Sequence, residues 1–544
     1  MARVENSAII SAGKPSKVLR TAAFLAVLFN LGILLYFAAV SNMWEDEVHT
    51  FYLSHQPLPN LLELMNRNFH EDAPAFNFLQ HGWQKFAQFN PFLLRLLPFT
   101  LWVASLACVG LLVNQLAGKR AMYWALIITA LWPYHWTFPI SYRWYSLATL
   151  FGISNLYFFV RLIESQRPNP DGKLSNPLLF GSLVALTGAA LWYTVYYAPA
   201  IAVGELAVLV VVHRLSLRTV GAFAIAWLGA AILYLPWLSI FLAQLGQSAG
   251  GRYSIKAVAA SLYVFWAGDF SIPTTFWISL PFLTSLFVGV LLAWNYWPVC
   301  RIPLLVAGTI LVLLLFSGTI ATKRLLLMTT LFAAAIGMSI SAAIEDKNRR
   351  VPMIVIVAAG ILALVSFGGS LTNVTTQSGW ITYRWMDEVK EAVRRIESEH
   401  PEALVLSNSD PVAFYAHDPS GFQLAKYRLT NNLGLVSDTK VWNTQLRTDP
   451  QYSPSMERAI SSQNDVIYVH QAFFNSVGTS REMESVLDWL EVLGFDRVTQ
   501  WQLTRMQGGP ERFLSRNDYP PFRVTVIHLR ANSDLSGATS RDHR

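Results

Sequence analysis

The chain has 544 residues, 53% of them hydrophobic and only 14% charged, with 19 Trp, 20 Tyr and 33 Phe. That composition excludes an ordinary soluble domain and fits a multi-pass protein of the lipid bilayer. The net charge of +7 comes from Lys and Arg at the ends of apolar runs, not from a basic stripe with interleaved aromatics, so no nucleic-acid partner is expected.

Arg3, Lys14, Lys17 and Arg20 precede the first apolar run, Thr21 to Val40, which at about 20 residues matches the hydrocarbon core of a bilayer. The positive-inside bias then places the N-terminus in the cytoplasm. The run is longer than a signal-peptide core and many more follow, so it reads as a retained span. Directly after it comes Trp44-Glu45-Asp46-Glu47-Val48-His49-Thr50, three carboxylates and a histidine on the outer side. Carboxylates so close to the bilayer are costly to desolvate and tend to sit in wet cavities or functional sites. A solvated loop ending a helix is the bland alternative. Leu58 to Phe69 and Phe76 to Phe89 mix apolar and polar residues at helical spacing and read as amphipathic helices along the membrane surface.

Further spans are expected at Phe92 to Gln115 and Ala121 to Phe138, separated by Lys119-Arg120 on the inner side, and from the outer turn at Ser141–Tyr145 to Arg161. Residues 177–212 split at Trp192–Tyr197 into two short spans. A seventh span ends at Leu235-Pro236-Trp237-Leu238. Residues 241–272 form a second outer loop with a surface helix at Ile255 to Trp266, and later spans fall near 275–297, 302–320, 325–343 and 352–371. Two cysteines, Cys108 and Cys300, lie within or at the end of apolar runs and imply no disulfide framework.

Beyond Thr372 apolar runs shorten and charges multiply. Trp385 to Glu399 reads as an amphipathic helix, 403–407, 465–470 and 522–529 as strands, and Glu482 to Leu493 as a helix, with a helix start at Asp410-Pro411. The expected fold class is therefore an α-helical multi-pass membrane protein of about eleven spans with a small C-terminal α/β extracytoplasmic domain. The expected organisation is a membrane domain over 1–371 with an outer loop at 42–91, an α/β domain over 372–531 and a disordered tail over 532–544. No Gly-rich phosphate loop follows any strand, so no nucleotide site is expected there.

Four cations fall on the side that positive-inside bias leaves poor in charge. Arg95, Arg143, Lys323 and Arg324 lie near the outer ends of spans, on the same side as Asp46. Each alone is an ordinary helix-end anchor. Together with the 45–47 carboxylates they describe an outward site suited to a phosphorylated lipid, with cations to neutralise a departing phosphate and a carboxylate to take a proton.

Several motifs strengthen this reading: Glu45-Asp46-Glu47 after span one, Pro74-Ala75-Phe76-Asn77-Phe78-Leu79, Leu94-Arg95-Leu96-Leu97-Pro98, Tyr142-Arg143-Trp144-Tyr145-Ser146-Leu147, Tyr234-Leu235-Pro236-Trp237-Leu238, and Lys323-Arg324-Leu325-Leu326. In order and spacing the chain, over roughly 20–390, resembles the multi-pass GT-C glycosyltransferases. The resemblance is greatest to bacterial members related to protein O-mannosyltransferases (glycosyltransferase family 39) and to the lipid A aminoarabinose transferase. Ala75 stands where the family has a second proline, and Leu325 where a tyrosine often follows the arginine; both leave the substrate open.

The resemblance implies transfer of a hexose or pentose from a polyprenyl-phosphate carrier to a glycan, lipid or protein hydroxyl at the outer face of the cytoplasmic (inner) membrane, usually with inversion. The C-terminal domain would be periplasmic. It gives Asp46 the role of general base and Glu47 that of orienting Asp46 or the acceptor. Arg143 and Arg324, with Arg95 and Lys323, would bind the donor phosphate, and His49, Glu71, Tyr142 and Tyr145 would line the substrates. Several relatives work without metal, so no cofactor is certain. A divalent cation such as Mg or Mn stays open, because Asp46, Glu47 and His49 with His70-Glu71-Asp72 offer hard ligands, although their spacing matches no compact metal motif. The rival reading is a transporter or flippase of a lipid-linked or anionic substrate. Such proteins place charge near the bilayer midplane, where this chain has only Glu205, and often show internal repeats, of which none is visible.

Overall fold

A computed structural model describes residues 15–43, 45–66, 73–166, 176–212, 216–247, 298–316, 325–345, 387–407, 410–417, 441–443, 457, 460–472, 476–505 and 522–532. The spans expected at 275–297 and 352–371 and the surface helix at 255–266 lie outside these residues. The chain divides into two compact units: Met1–Val40, Met65–Trp83 and Phe92–Gly379 form one, and Ser41–Leu64, Gln84–Pro91 and Trp380–Arg544 the other.

The first unit is helical. Helix α1 (Lys17–Val40) turns Phe24, Leu25, Leu28 and Leu35 outward and Ala23, Ala26, Asn30 and Leu34 inward. An apolar exterior around one polar inward residue is the pattern of a helix in lipid, where the outer face meets acyl chains instead of water. After α2 (Glu45–His55), α3 (Leu58–Asn66) and α4 (Pro74–Ala87), helix α5 (Pro91–Leu131) is 41 residues long. It is broken at Gly118, with φ 81° and ψ 175°, a conformation that carries little cost only for glycine. The break falls one residue before Lys119-Arg120, where the sequence places an inner loop between two spans.

The span expected to reach Phe138 stops earlier. Trp132 takes an extended conformation (φ −70°, ψ 120°) ahead of Pro133, as residues before proline do, and two 3-10 turns, Pro133–Trp136 and Phe138–Ile140, follow. Helix α6 (Tyr145–Ser165) then crosses back. The split of 177–212 appears as α7 (Pro177–Trp192) and α8 (Pro199–Val211), of 16 and 13 residues. At 1.5 Å per residue neither reaches the roughly 30 Å of a hydrocarbon core. Helix α9 (Leu217–Gln247) corrects another expectation: it does not end at Pro236 but runs through it for 31 residues. Proline is tolerated inside membrane helices where neighbouring helices, side chains and small backbone adjustments satisfy the freed carbonyl. Helices α10 (Arg301–Phe316) and α11 (Leu326–Glu345) complete the described bundle.

Among the described residues four helices are long and apolar enough to cross a membrane, Lys17–Val40, Pro91–Leu131, Tyr145–Ser165 and Leu217–Leu242, with four shorter apolar helices beside them. The chain is a membrane protein. Within the bundle α6 packs on α7 and α11, α7 on α9, and α10 on both α8 and α11. Gly204 of α8 lets the α10 backbone approach, since a Cβ there would lie 2.8 Å from the Val306 Cα.

In the second unit a five-stranded mixed sheet has the order β2-β1-β3-β5-β4, from β1 (Leu404–Ser407), β2 (Val441–Asn443), β3 (Asp465–Ala472), β4 (Phe495–Arg505) and β5 (Phe522–Ala531). β1 runs parallel to β2 and β3, while β5 runs antiparallel to β3 and β4. Helix α12 (Asp387–Glu399) lays Val389, Ala392, Val393 and Ile396, one helical stripe, against β4 and β5. Helix α13 (Asp410–Tyr415) packs on α12 and α2, and α14 (Ser476–Val492) on β3 and β4. Strand β4 was not foreseen from the sequence: Asp496 to Gln500 are all exposed, and a bulge between Arg497 and Thr499 breaks the alternation that would reveal it.

Candidate active site

Helix α2 begins with the three acids Glu45, Asp46 and Glu47, in the first turn where the helix dipole favours negative charge. Glu47, Val48 and every residue from Thr50 to Ser54 are buried, whereas Asp46 and His49 are half-buried. Asp46 and His49 are three residues apart and so share a face; Glu47 points about 100° away from Asp46. The two carboxylates the sequence could not tell apart thus differ in access. Glu47 has no exposed surface, and Asp46 keeps some.

The start of α2 is held from a distant part of the same unit. The Met43 amide donates to the Tyr415 hydroxyl at 2.8 Å. Further along, Phe414 meets the Phe51 ring edge-on at 5.1 Å, Phe89 packs on both rings, and Gln84 Nε2 donates to the Phe51 carbonyl at 2.9 Å.

In the helical unit Arg95 lies in the second turn of α5 and is fully buried, and Arg143 lies in the turn before α6 with 7% of its surface exposed. Two motifs singled out in the sequence meet around that turn. Phe76 packs edge-on to Tyr142 at 6.2 Å, and Gln80 Nε2 donates to the Tyr142 carbonyl at 3.2 Å. The Ala75 amide donates to the Tyr193 carbonyl at 2.7 Å, which joins the 74–79 segment to the turn after Trp192 as well. Ser146 Oγ closes the turn by donating to the Pro139 carbonyl at 2.6 Å. Trp144 stacks edge-on against Tyr145 at 4.6 Å and Tyr197 at 6.0 Å. The arginine turn is therefore pinned on three sides.

Beneath it lies a polar network that sequence reasoning missed. Asn30 Nδ2 of α1 donates to the carbonyls of Ala130 and His135, and its Oδ1 accepts from Trp102 Nε1 at 2.9 Å. His135 Nδ1 lies 2.7 Å from the Thr129 carbonyl, which fixes the proton on Nδ1, and Nε2 faces Thr329 Oγ1 at 2.9 Å. This network ties α1, α5 and the second turn of α11 to the loop that leads to Arg143. The signal in the sequence is polar residues inside apolar runs, Asn30 above all.

Glu205, in the apolar helix α8, accepts a hydrogen bond from Trp227 Nε1 at 2.9 Å and is fully buried. Lys323, Arg324 and Glu71 lie outside the described residues. Asp46, Glu47 and His49 belong to one unit, and Arg95, Arg143, Tyr142 and Tyr145 to the other. No group of three or more His, Cys, Asp or Glu able to hold a metal ion occurs among the described residues, and His70-Glu71-Asp72 are not among them.

No protein-family model matches the chain, and no curated protein does. Solved structures do. ArnT from Cupriavidus metallidurans bound to undecaprenyl phosphate is 12% identical, with 92% of this chain and 97% of that one covered and a TM-score of 0.54. The same protein in its apo state is 10% identical, with 94% and 98% covered and a TM-score of 0.55. The archaeal oligosaccharyltransferase AglB from Archaeoglobus fulgidus, in complex with an inhibitory peptide and a dolichol-phosphate, is 10% identical, with 83% and 69% covered and a TM-score of 0.47. The likeness to ArnT extends over nearly the whole of both chains and is one of fold: this chain shares the fold of ArnT.

Proposed function

We propose that the protein is an integral membrane glycosyltransferase that moves a sugar from a polyprenyl-phosphate donor to an acceptor hydroxyl at the outer face of the cytoplasmic membrane. The observation that carries the proposal is a conjunction within a GT-C fold. A carboxylate-rich helix with an accessible Asp46 follows the first span, Arg95 is buried in the second turn of α5, and Arg143 is buried in the turn before α6. That ArnT binds undecaprenyl phosphate supports a lipid phosphate as the leaving group.

The chemistry follows from the charges. Asp46 takes the acceptor hydroxyl proton as that oxygen attacks the anomeric carbon from the face opposite the phosphate. The C1–O bond breaks, its electron pair leaves with the lipid phosphate, and the anomeric configuration inverts. The polyprenyl phosphate departs as a stable phosphate monoester anion, so one base suffices and the second carboxylate of a glycosidase is not needed. Arg143, with Arg95, Lys323 and Arg324, offsets the charge gathering on the phosphate; a guanidinium fork holds two of its oxygens at once. Glu47 orients Asp46 or the acceptor, and His49, Glu71, Tyr142 and Tyr145 line the substrates.

The test compares glycolipids, surface glycans and glycoproteins of cells with and without the intact gene by mass spectrometry. Loss of one hexose or pentose from one class is the expected result and names both substrates. An unchanged glycan set with altered uptake or altered distribution of the lipid carrier would instead favour the transporter reading.

A further inference from the structure

Asp46 is three residues from Met43, and Met43 is bonded to a residue 372 positions away. Met43 is fully buried and lies two residues before α2, outside the helix's own hydrogen-bond ladder, so its amide must find a partner elsewhere. Here the acceptor is the phenolic oxygen of Tyr415, the last residue of α13, at 2.8 Å, with the Met43 carbonyl 3.5 Å from the same oxygen. The preceding residue, Phe414, has 1% of its surface exposed and packs against both rings of the Phe51–Phe89 pair, at 5.1 Å and 5.7 Å. One short turn of chain therefore fixes both the entry of α2 and its middle, with only two residues between the clamp and Asp46.

We infer that Tyr415 and Phe414 are positioning residues for the transfer reaction: they hold the start of α2 so that the Asp46 carboxylate keeps one orientation toward the acceptor. This rests on Asp46 being the base. A positioned base contributes 100- to 10,000-fold to a rate, and a displacement of about 1 Å removes much of that. The C-terminal region then takes part in catalysis through the backbone of Met43 without touching substrate. Its α13 turn sets the geometry of a helix encoded more than 350 residues earlier.

The experiment uses the full-length protein with Tyr415→Phe, Tyr415→Ala and Asp46→Asn. Transfer is measured in membrane vesicles from cells lacking the chromosomal copy, which contain their own donor and acceptor. Undecaprenyl phosphate binding and amide hydrogen exchange are measured on the purified protein. Tyr415→Phe should speed exchange at the Met43 peptide by about tenfold or more while β3 and β5 keep their protection and undecaprenyl phosphate binds as before. Transfer should fall about 10- to 100-fold, and further in Tyr415→Ala. Unchanged exchange at Met43, or transfer within about twofold of wild type despite faster exchange, would overturn the inference. So would protection lost from β3 and β5 in step with transfer, because Tyr415 would then be a folding residue only. If Asp46→Asn is inactive and Tyr415→Phe fully active, the positioning role fails by itself; if Asp46→Asn still transfers sugar, the base assignment fails and takes the positioning role with it.

Discussion

Asn30 and Trp102 face each other at 2.9 Å from separate helices, the indole N–H donating to the amide oxygen in a place with no exposed surface. The same Asn30 satisfies the carbonyls of Ala130 and His135, so one side chain closes three hydrogen bonds where the chain leaves α5 toward the arginine turn. Replacing Asn30 by Leu strands the Trp102 indole N–H and the His135 carbonyl, while the Ala130 carbonyl keeps its bond from Trp136 Nε1 at 3.2 Å. The expected loss is about 2–4 kcal/mol of stability, read as a lowered Tm in detergent, with Asn30→Ser intermediate. An unchanged Tm for Asn30→Leu would mean that the network does not hold α1 to this loop.

Glu205 separates the enzyme reading from the transporter reading. As a structural acceptor for Trp227, it should tolerate Glu205→Gln, which keeps an oxygen in place, while Glu205→Leu costs about 1–3 kcal/mol by leaving the indole N–H unpaired. Transfer by Glu205→Gln is expected to match wild type. A carboxylate that carried a cation or proton through the bilayer would lose function in the same variant.

Helix contacts give a prediction free of chemistry. A Cβ on Gly337 of α11 would collide with the backbone of Ala125 in α5, whereas Gly308 of α10 has open space around it. Gly337→Ala is expected to destabilise the bundle by about 1–3 kcal/mol. Gly308→Ala should stabilise by about 0.5–1 kcal/mol through helix propensity. Thermal unfolding of the two variants beside wild type checks both signs.

The sheet should weaken in acid. His470 has 3% of its surface exposed, and its Nδ1 lies 2.9 Å from the Tyr468 hydroxyl; burial pushes its pKa down to about 4 from 6.5. Below pH 6.5 the unfolded chain gains a proton that the folded chain refuses until about pH 4, so stability falls as pH drops through that window, by about 3 kcal/mol in all. At lower pH Asp465 adds to the loss. The hydrogen bond from His528, and after it that from Arg530, hold its carboxyl below the usual range, so its contribution is present above the unfolded value and disappears as pH falls through the folded one. Hydrogen exchange of β3 between pH 7 and 4.5, after correction for intrinsic rates, should show the slope, and His470→Gln should flatten it. An equal slope in His470→Gln would remove His470 from the account.

Arg143 tests the phosphate role. Arg143→Lys keeps the charge but not the fork, and Arg143→Ala removes both. Donor use is expected to drop about 100-fold or more in Arg143→Ala and far less in Arg143→Lys. Equal losses in the two variants would assign Arg143 to the architecture of its turn.

What the sequence made legible follows from which forces act locally. Lys119-Arg120 marked the break at Gly118 because charge near a span end is a local signal, and the aromatic Trp192–Tyr197 turn marked the division between α7 and α8 in the same way. Pro236 misled because proline breaks helices in water, and the penalty shrinks where neighbouring helices and lipid surround it. Strand β4 was hidden by its exposure and its bulge. The motifs at 74–79 and 142–147 were visible as motifs, but that Phe76 and Gln80 grip Tyr142 was not. Nor was the bond from Met43 to Tyr415, since contacts between distant segments leave no pattern in either one. Polar residues such as Asn30 and His135 carried the most information per residue and the least visible pattern.

The central claim is that Asp46 deprotonates the acceptor. The direct measurement is sugar transfer by Asp46→Asn in membrane vesicles that contain the native donor and acceptor, alongside undecaprenyl phosphate binding to the purified protein. The account predicts that transfer falls by about 100-fold or more while binding and Tm stay at wild-type values. Near-normal transfer by Asp46→Asn would contradict it and pass the role of base to Glu47 or Glu71.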